Sequence, residues 1–550
     1  MTKKLLGLSL LASTFLISCN SNDINDSSSQ ENIFNVDNNS SELSKSLSND
    51  GVGVLGVTSV SNNRSADVID ADSEIEKITL EQIATIDPPV LDGQAMRANH
   101  VDIDGDYAYV AYTKEGPTYL GGIDVIDISD KYAPKLVSRM TTASADVNAL
   151  FYRNNKVFFT GALNWQASGS QRAFYASIDV SNGELATKNH IERFYQGQAG
   201  VDIFPYQEDN FIALSGSESS LGYYNSNSLI TEMEGSNFED LRAAAALPNG
   251  KIVALSGNGY LLILEPRLLG VEKEIQTQPL IAESKRTIEL LNDQLLVSEG
   301  PNGVGIYNLE SGQEVSRLPI HMLPGAEVAE GDKVTNSVTT FNDFVLMGNG
   351  GAGFGITKLD ENNNVVEEGI IEIDGSANYV KAKGDYIFVA SGTGGLRILK
   401  MSRPVAAETN FLACSDYNAY SGDKNLNVNS GAVASYSGSV TLKHLNVGGI
   451  LNFCGALNIE KSTNINSFGE FNMSGALAVG QANKNENLTV NSKSTLRIDG
   501  SLTVYGDFNL NSGATLEFVG EDSSIHVYGE VKKGNDVSIV GDYTDTSNKL

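Results

Sequence analysis

Between Asp104 and Asp385, a short apolar segment runs seven times into a polar turn and emerges as a stronger apolar segment. The turns are Asp104-Gly105, Asn154-Asn155, Glu208-Asp209, Asn249-Gly250, Asn292-Asp293, Asn342-Asp343 and Gly384-Asp385, spaced 41 to 54 residues apart. The apolar runs are short and bounded by turn residues, which predicts strands; a helix needs a longer 3.6-residue period. After each turn comes a second strand, such as Tyr107–Tyr112 or Ile252–Ser256. A loop and a third strand follow, such as Gly122–Ile128 or Leu396–Lys400. A fourth, more polar strand closes six units, as at Lys135–Met140, Val315–Ile320 and Val366–Ile373. The seventh unit ends near Met401 without one, and a spare strand, Glu76–Ile83, lies upstream. Pairing that strand with Leu396–Lys400 would close a ring and remove exposed sheet edges. The pattern predicts a seven-bladed β-propeller over residues 76–403.

Residues 404–424 have turn composition and read as a linker. Beyond them, paired apolar residues recur at Leu451/Phe453, Leu457/Ile459, Phe471/Met473, Leu477/Val479, Leu496/Ile498 and Leu502/Val504. Leu451 to Phe471, Leu457 to Leu477, Leu488 to Phe508 and Leu496 to Leu516 are each 20 residues apart. Three short strands per such turn describe a three-sided parallel β-helix, a solenoid over residues 425–545. Asn452 and Asn472 fall at equivalent positions, where they can stack as a ladder. The fold class is therefore all-β, a propeller followed by a solenoid.

The N-terminus supplies an address. Lys3 and Lys4 precede a 13-residue apolar run, Leu5 to Ile17, too short to span a bilayer as a helix. It ends in Leu16-Ile17-Ser18-Cys19, which resembles the lipobox of bacterial lipoproteins. The resemblance implies a signal peptide at 1–18 and an acylated Cys19 that anchors the chain to a membrane, as in an outer-membrane lipoprotein facing the periplasm or the surface. Residues 19–75, dominated by Ser, Asn and Asp, read as a disordered tether.

Gly121-Gly122-Ile123-Asp124-Val125-Ile126-Asp127-Ile128 with Pro134-Lys135-Leu136-Val137 resembles the LVIVD repeat of bacterial and archaeal surface proteins. So does Gly384-Asp385-Tyr386-Ile387-Phe388-Val389-Ala390 followed by Gly394-Gly395-Leu396-Arg397-Ile398-Leu399. That resemblance implies a propeller outside the cytoplasm. It brings no general catalytic motif, so no residue takes a role from it.

The net charge of −30 argues against a nucleic-acid role, because phosphate binding needs a basic surface. Beyond Cys19 the cysteines are Cys414 and Cys454. An export route permits a disulfide between them, with two unpaired thiols as the alternative. No CxxC or HxxxH spacing points to a metal, and no cofactor is expected. Asp102 to Asp106 looks like a calcium loop, but it lacks the distal Glu of an EF-hand and falls on the first hairpin.

Polar residues also enter the innermost strand of each unit: Arg97, Asn99, His100, Asp146, Asn148, Asp202, Arg242, Arg286, Asn336 and Asn378. In a propeller they ring one mouth of the central channel. They either solvate that channel or contact a ligand, with Trp165 in a long loop of the second unit as an aromatic anchor. The function read from these features is non-enzymatic binding or scaffolding, with a glycan or protein partner. The alternatives are an enzyme acting on extracellular polysaccharide, and end-to-end assembly of the solenoid.

Overall fold

In the computed structural model the seven hairpins become seven antiparallel blades. It describes residues 33–48, 53–60, 75, 78–164, 172–188, 190–229, 231–235, 238–265, 269–279, 287–323, 326–402, 411–481, 484–520 and 523–550. The innermost strands, in blade order, are Arg97–Asp104, Ala145–Arg153, Gly200–Tyr206, Leu241–Ala246, Ile288–Leu291, Lys333–Phe341 and Tyr379–Lys383. Each touches the next, and the last touches the first. The ring closes through the upstream strand: Thr79–Ile86 runs antiparallel to Leu396–Ser402, with Ile86 opposite Leu396.

Asn154-Asn155, Asn292-Asp293, Asn342-Asp343 and Gly384-Asp385 form two-residue loops. Asn154 and Asn155 both have positive φ, the geometry that matches strand twist. In blade 1 the closing pair is Asp104 and Tyr107, so the loop is Gly105-Asp106. Blade 3 uses three loop residues, and blade 4 uses the longer connection between Ala246 and Ile252. The outer strand expected at Val315–Ile320 is Glu314–Leu318, because Pro319 ends the ladder.

The tether expected at 19–75 is corrected over its described part. Asn35–Asp37 adds a fifth strand to blade 1, with Val36 opposite Met140. Gly53–Ser59 wedges between blades 6 and 7, pairing with Val365–Ile371 on one side and Thr79–Ile86 on the other. The two blades thereby share one ten-stranded sheet. The physical reason lies in a few apolar residues placed on seams: Phe34, Leu43 and Val57 are all buried. Mean composition hides them among serines and asparagines.

The linker is also shorter than expected. Asn418–Ala419 already pairs in parallel with Val433–Leu442, and a disulfide joins Cys414 to Cys454, Cα atoms 5.8 Å apart. The solenoid therefore begins before residue 425, and it runs past 545 to Leu550.

Each central turn carries a ten-residue strand: Ile450–Ile459, Glu470–Val479 or Thr495–Val504. Gly455, Gly475 and Gly500 bend these strands at φ of +115°, +123° and +130°. A Cβ on Gly475 would lie 2.1 Å from the carbonyl oxygen of Gly455, so only glycine turns this corner. The third side stacks six short strands, from Asn425–Val428 to Val531–Lys533. The 20-residue steps hold: Leu451 faces Phe471, Leu488 faces Phe508 and Leu496 faces Leu516. Inward Leu, Ile, Val and Phe fill the axis. Outside, Asn472 donates to Asn452 Oδ1 at 2.9 Å, and Asn452 donates to Ser435 Oγ at 3.0 Å.

The last turn is covered. Tyr543 stacks on Phe518 at 4.4 Å, and Lys549 Nζ donates to the carbonyls of Val527, Tyr528 and Gly529 at 2.7 to 2.8 Å.

Candidate functional site

Five of the ten polar residues expected at the channel mouth act as staples between blades. Asn99 Nδ2 in blade 1 donates to Val147 O in blade 2 at 3.0 Å. Asn148 Nδ2 donates to Gly200 O in blade 3 at 2.8 Å. Asp202 accepts from Ala244 N in blade 4 at 3.1 Å and from Ile203 N at 2.9 Å. Thr287 Oγ1 exchanges bonds with the backbone of Val338 in blade 6. Asn336 Nδ2 reaches Asn378 Oδ1 at 3.4 Å, and Asn378 Nδ2 donates to Ala98 O in blade 1 at 3.0 Å. These bonds bridge six of the seven joints, and at five of them a side-chain amide, carboxylate or hydroxyl satisfies buried backbone groups that strand pairing leaves over.

Four other expected positions sit at the edges of this belt. Arg97 pairs with Glu115 at 3.1 Å, and Arg242 pairs with Asp240 at 2.7 Å. His100 packs on the Tyr379 ring, centroids 4.1 Å apart. Asp146 lies on the blade 2 inner strand opposite Ala162. Trp165, Arg286 and Cys19 lie outside the described residues.

A second polar layer escaped the sequence reading. Asp102 Oδ1 takes Lys381 Nζ at 2.6 Å, and its Oδ2 takes Tyr152 N at 2.9 Å. Burial first, then the negative charges of Asp202, Asp102 and Glu289 from blades 3, 1 and 5, raise the pKa of Tyr379 in blade 7. Burial opposes ionisation of Asp102, but Lys381 and the Tyr152 amide outweigh it and hold its pKa below the ordinary value. Burial pushes Asp202 up to about 7 against its two amide donors, and pushes Glu289 up to about 7 against Lys381. Asp102, which the sequence puts in a calcium-like loop, lies on the strand before the turn and pairs across the ring with Lys381.

The solenoid docks on the propeller through a second polar cluster. Its docked face carries small residues, such as Ala476, Ala478, Ser501 and Thr503, between the inward leucines. Lys400 Nζ donates to Ser524 Oγ at 2.9 Å, and Tyr528 OH donates to Tyr132 O at 3.3 Å. Glu81, 2% exposed, lies near Thr503 and Lys400 in this seam. Burial raises the Glu81 pKa, and it lowers that of Lys400.

Comparison with known proteins places the propeller among repeat proteins. The LVIVD repeat model matches residues 95–142 and 374–406. Two of the seven blades thus match the repeat. These stretches cover blade 1 and the three inner strands of blade 7, the two units that meet at the ring closure. No curated protein matches the chain. Among solved structures, a computationally designed protein, Ika8, aligns with 63% of this chain and 96% of its own, at 12% identity and a TM-score of 0.38. BamB from Moraxella catarrhalis aligns over 62% of this chain and 99% of its own, at 14% identity and a TM-score of 0.39.

Proposed function

We propose that this chain is a lipid-anchored scaffold of the bacterial cell envelope that binds a partner without catalysis. The observation that carries the reading is the seam. Propeller and solenoid share a buried, hydrogen-bonded contact, which the inserted strand Gly53–Ser59 reinforces by touching both domains. Two joined domains with fixed faces suit the presentation of binding surfaces, because little ordering entropy is left to lose on association. The alternative, a polysaccharide-acting enzyme, needs facing carboxylates that are available to substrate. Asp102 and Asp202 are already engaged by backbone amides and Lys381.

The anchor is Cys19, on the strength of the lipobox resemblance. Phe34 is fixed in the core shared by blades 1 and 2. Fourteen residues lie between it and Cys19. At roughly 3.3–3.6 Å per residue, that rim lies within about 50 Å of the acyl chains. The body is thus held nearer the membrane than a tether running to residue 75 would allow.

Metabolic labelling with palmitate tests the anchor: label that persists in Cys19→Ala rejects it. Binding is tested on a soluble chain starting at Asn20, which keeps the N-terminal strands. A glycan array, with Trp165→Ala as control, separates a sugar partner from a protein partner. Hydrolysis of any arrayed polysaccharide would reject the non-catalytic reading.

A further inference from the structure

The outer rim of blade 4 combines an unpaired strand edge with a formed cleft. Gly270–Gln276 is the last strand of its sheet, and no strand among the described residues pairs with its outer side. The cleft beside it, about 430 Å³, lies towards blade 3. Cross-strand register explains its lining: Leu262 is opposite Glu274, Tyr260 is opposite Gln276, and both share a face with Ser256. Leu262, Leu269 and Phe238 form an apolar floor. Tyr260 is 37% exposed and Val271 45% exposed at its border.

The cleft has a definite charge. Glu239 and Glu274 line it, and among the described residues no lysine or arginine does. The nearby cations point elsewhere: Lys273 reaches the Leu309 carbonyl of blade 5 at 3.1 Å, and Lys251 pairs with Glu272. The same molecule also shows what such an edge accepts. Blade 1 takes Asn35–Asp37 as an added strand, and blade 6 takes Gly53–Ser59, both antiparallel.

We propose that Gly270–Gln276 accepts an extended segment of a partner protein as a fifth strand, with lysine or arginine and apolar side chains alternating towards the cleft. Main-chain hydrogen bonds give the affinity, and the cleft selects the side chains. The basic character follows from Glu239 and Glu274. This names a partner class for the scaffold and rests on that reading; its failure would leave the anchor and glycan tests above unaffected.

The probe is a fluorescein-labelled hexapeptide alternating lysine and valine, followed by anisotropy with the soluble chain from Asn20. A second peptide carries N-methyl groups on every other amide, which removes the strand hydrogen bonds but keeps the charge. Expected is saturable binding, at least about tenfold weaker for the methylated peptide, for Glu274→Lys and for Tyr260→Ala. Both positions face solvent, and unchanged melting temperatures check that the variants fold. Glu361→Lys on the distant blade 6 turn is the charge-matched control and keeps full binding. No binding, equal binding of the methylated peptide, or an equal loss in Glu361→Lys overturns the proposal. So does a concentration-dependent dimer abolished by Glu274→Lys, which would make a second copy the occupant.

Discussion

The imidazole of His526, in the last turns of the solenoid, lies flat on the ring of Tyr132 in the propeller, with centroids 4.0 Å apart and planes within 8°. Its Nδ1 is 2.9 Å from Thr546 Oγ1. Burial first, with Lys549 and Lys400 adding to it and Asp130 and Asp545 opposing, pushes the His526 pKa down to about 4. A depressed cation pKa means that the neutral ring stabilises the fold above pH about 6.5 and that this contribution is lost as pH falls towards 4. The linked energy is about 3 kcal/mol on the acid side. Calorimetry should therefore show a melting temperature that drops between pH 6.5 and 4. His526→Phe keeps the stack and removes the titration, so its drop should be shallower. Parallel curves would assign the acid loss to other groups.

Glu81 and Lys400 meet in the same seam, 2% and 9% exposed. Burial acts on them in opposite directions, so each charge depends on the other. Removing one partner strands the other, whereas removing both relieves two desolvation penalties. Lys400→Met alone should cost about 3–5 kcal/mol. The pair Glu81→Leu/Lys400→Met should recover most of it. A double-mutant cycle from urea unfolding measures the coupling, and additive single effects would argue against an interacting pair.

Asp124 belongs to the stretch that resembles the LVIVD repeat, and it is fully buried. Arg139 grips it with a two-pronged contact, Nε to Oδ1 and Nη2 to Oδ2, each 2.7 Å. The guanidinium continues to Ser46 Oγ and Asp87 O, which ties blade 1 to the segments that wrap it. Arg139→Ala should destabilise by about 3–5 kcal/mol because it leaves a buried carboxylate unpaired. Arg139→Lys should rescue little, since an ammonium cannot reproduce the fork. Chemical denaturation of the two variants and of Arg139→Ala/Asp124→Ala checks this; the double variant should be less damaged than Arg139→Ala.

These contacts show where sequence reading reaches and where it stops. The blades were legible because their hairpin turns and apolar runs are local signals. The solenoid was legible because paired apolar residues recur on every turn, even though the step between facing residues varies, 20 residues from Leu451 to Phe471 and 25 from Phe471 to Leu496. Asn99, Asn148 and Asp202 lie on innermost strands and Asn378 lies just before one, and their hydrogen bonds put them at the blade joints. The meeting of Asp102 and Lys381, 279 residues apart, depends on ring closure, and no local pattern encodes it. The small residues of the docked solenoid face gave no signal of their own, because Ala and Ser are equally at home on a solvated face.

The N-terminal segment is where composition misled most, and it offers a direct test. Phe34 is 1% exposed, edge-on to Phe159 at 5.2 Å and near Phe174 at 6.3 Å. Its ring lies in the core that joins blades 1 and 2. Truncating a buried phenylalanine removes its transfer energy and leaves a cavity, together about 3–5 kcal/mol. Phe34→Ala should therefore lower the urea midpoint of the whole propeller. The neighbouring Asn35 is exposed, so Asn35→Ala should change stability by no more than about 0.5 kcal/mol. Deleting residues 1–60 removes both added strands and bares the edges of Lys135–Thr142 and Val365–Ile371. That truncated chain should be less stable than Phe34→Ala and more prone to aggregate, because unpaired edges recruit other strands. Unfolding curves with light scattering measure both effects. If Phe34→Ala unfolds at the wild-type midpoint, the segment is a tether after all.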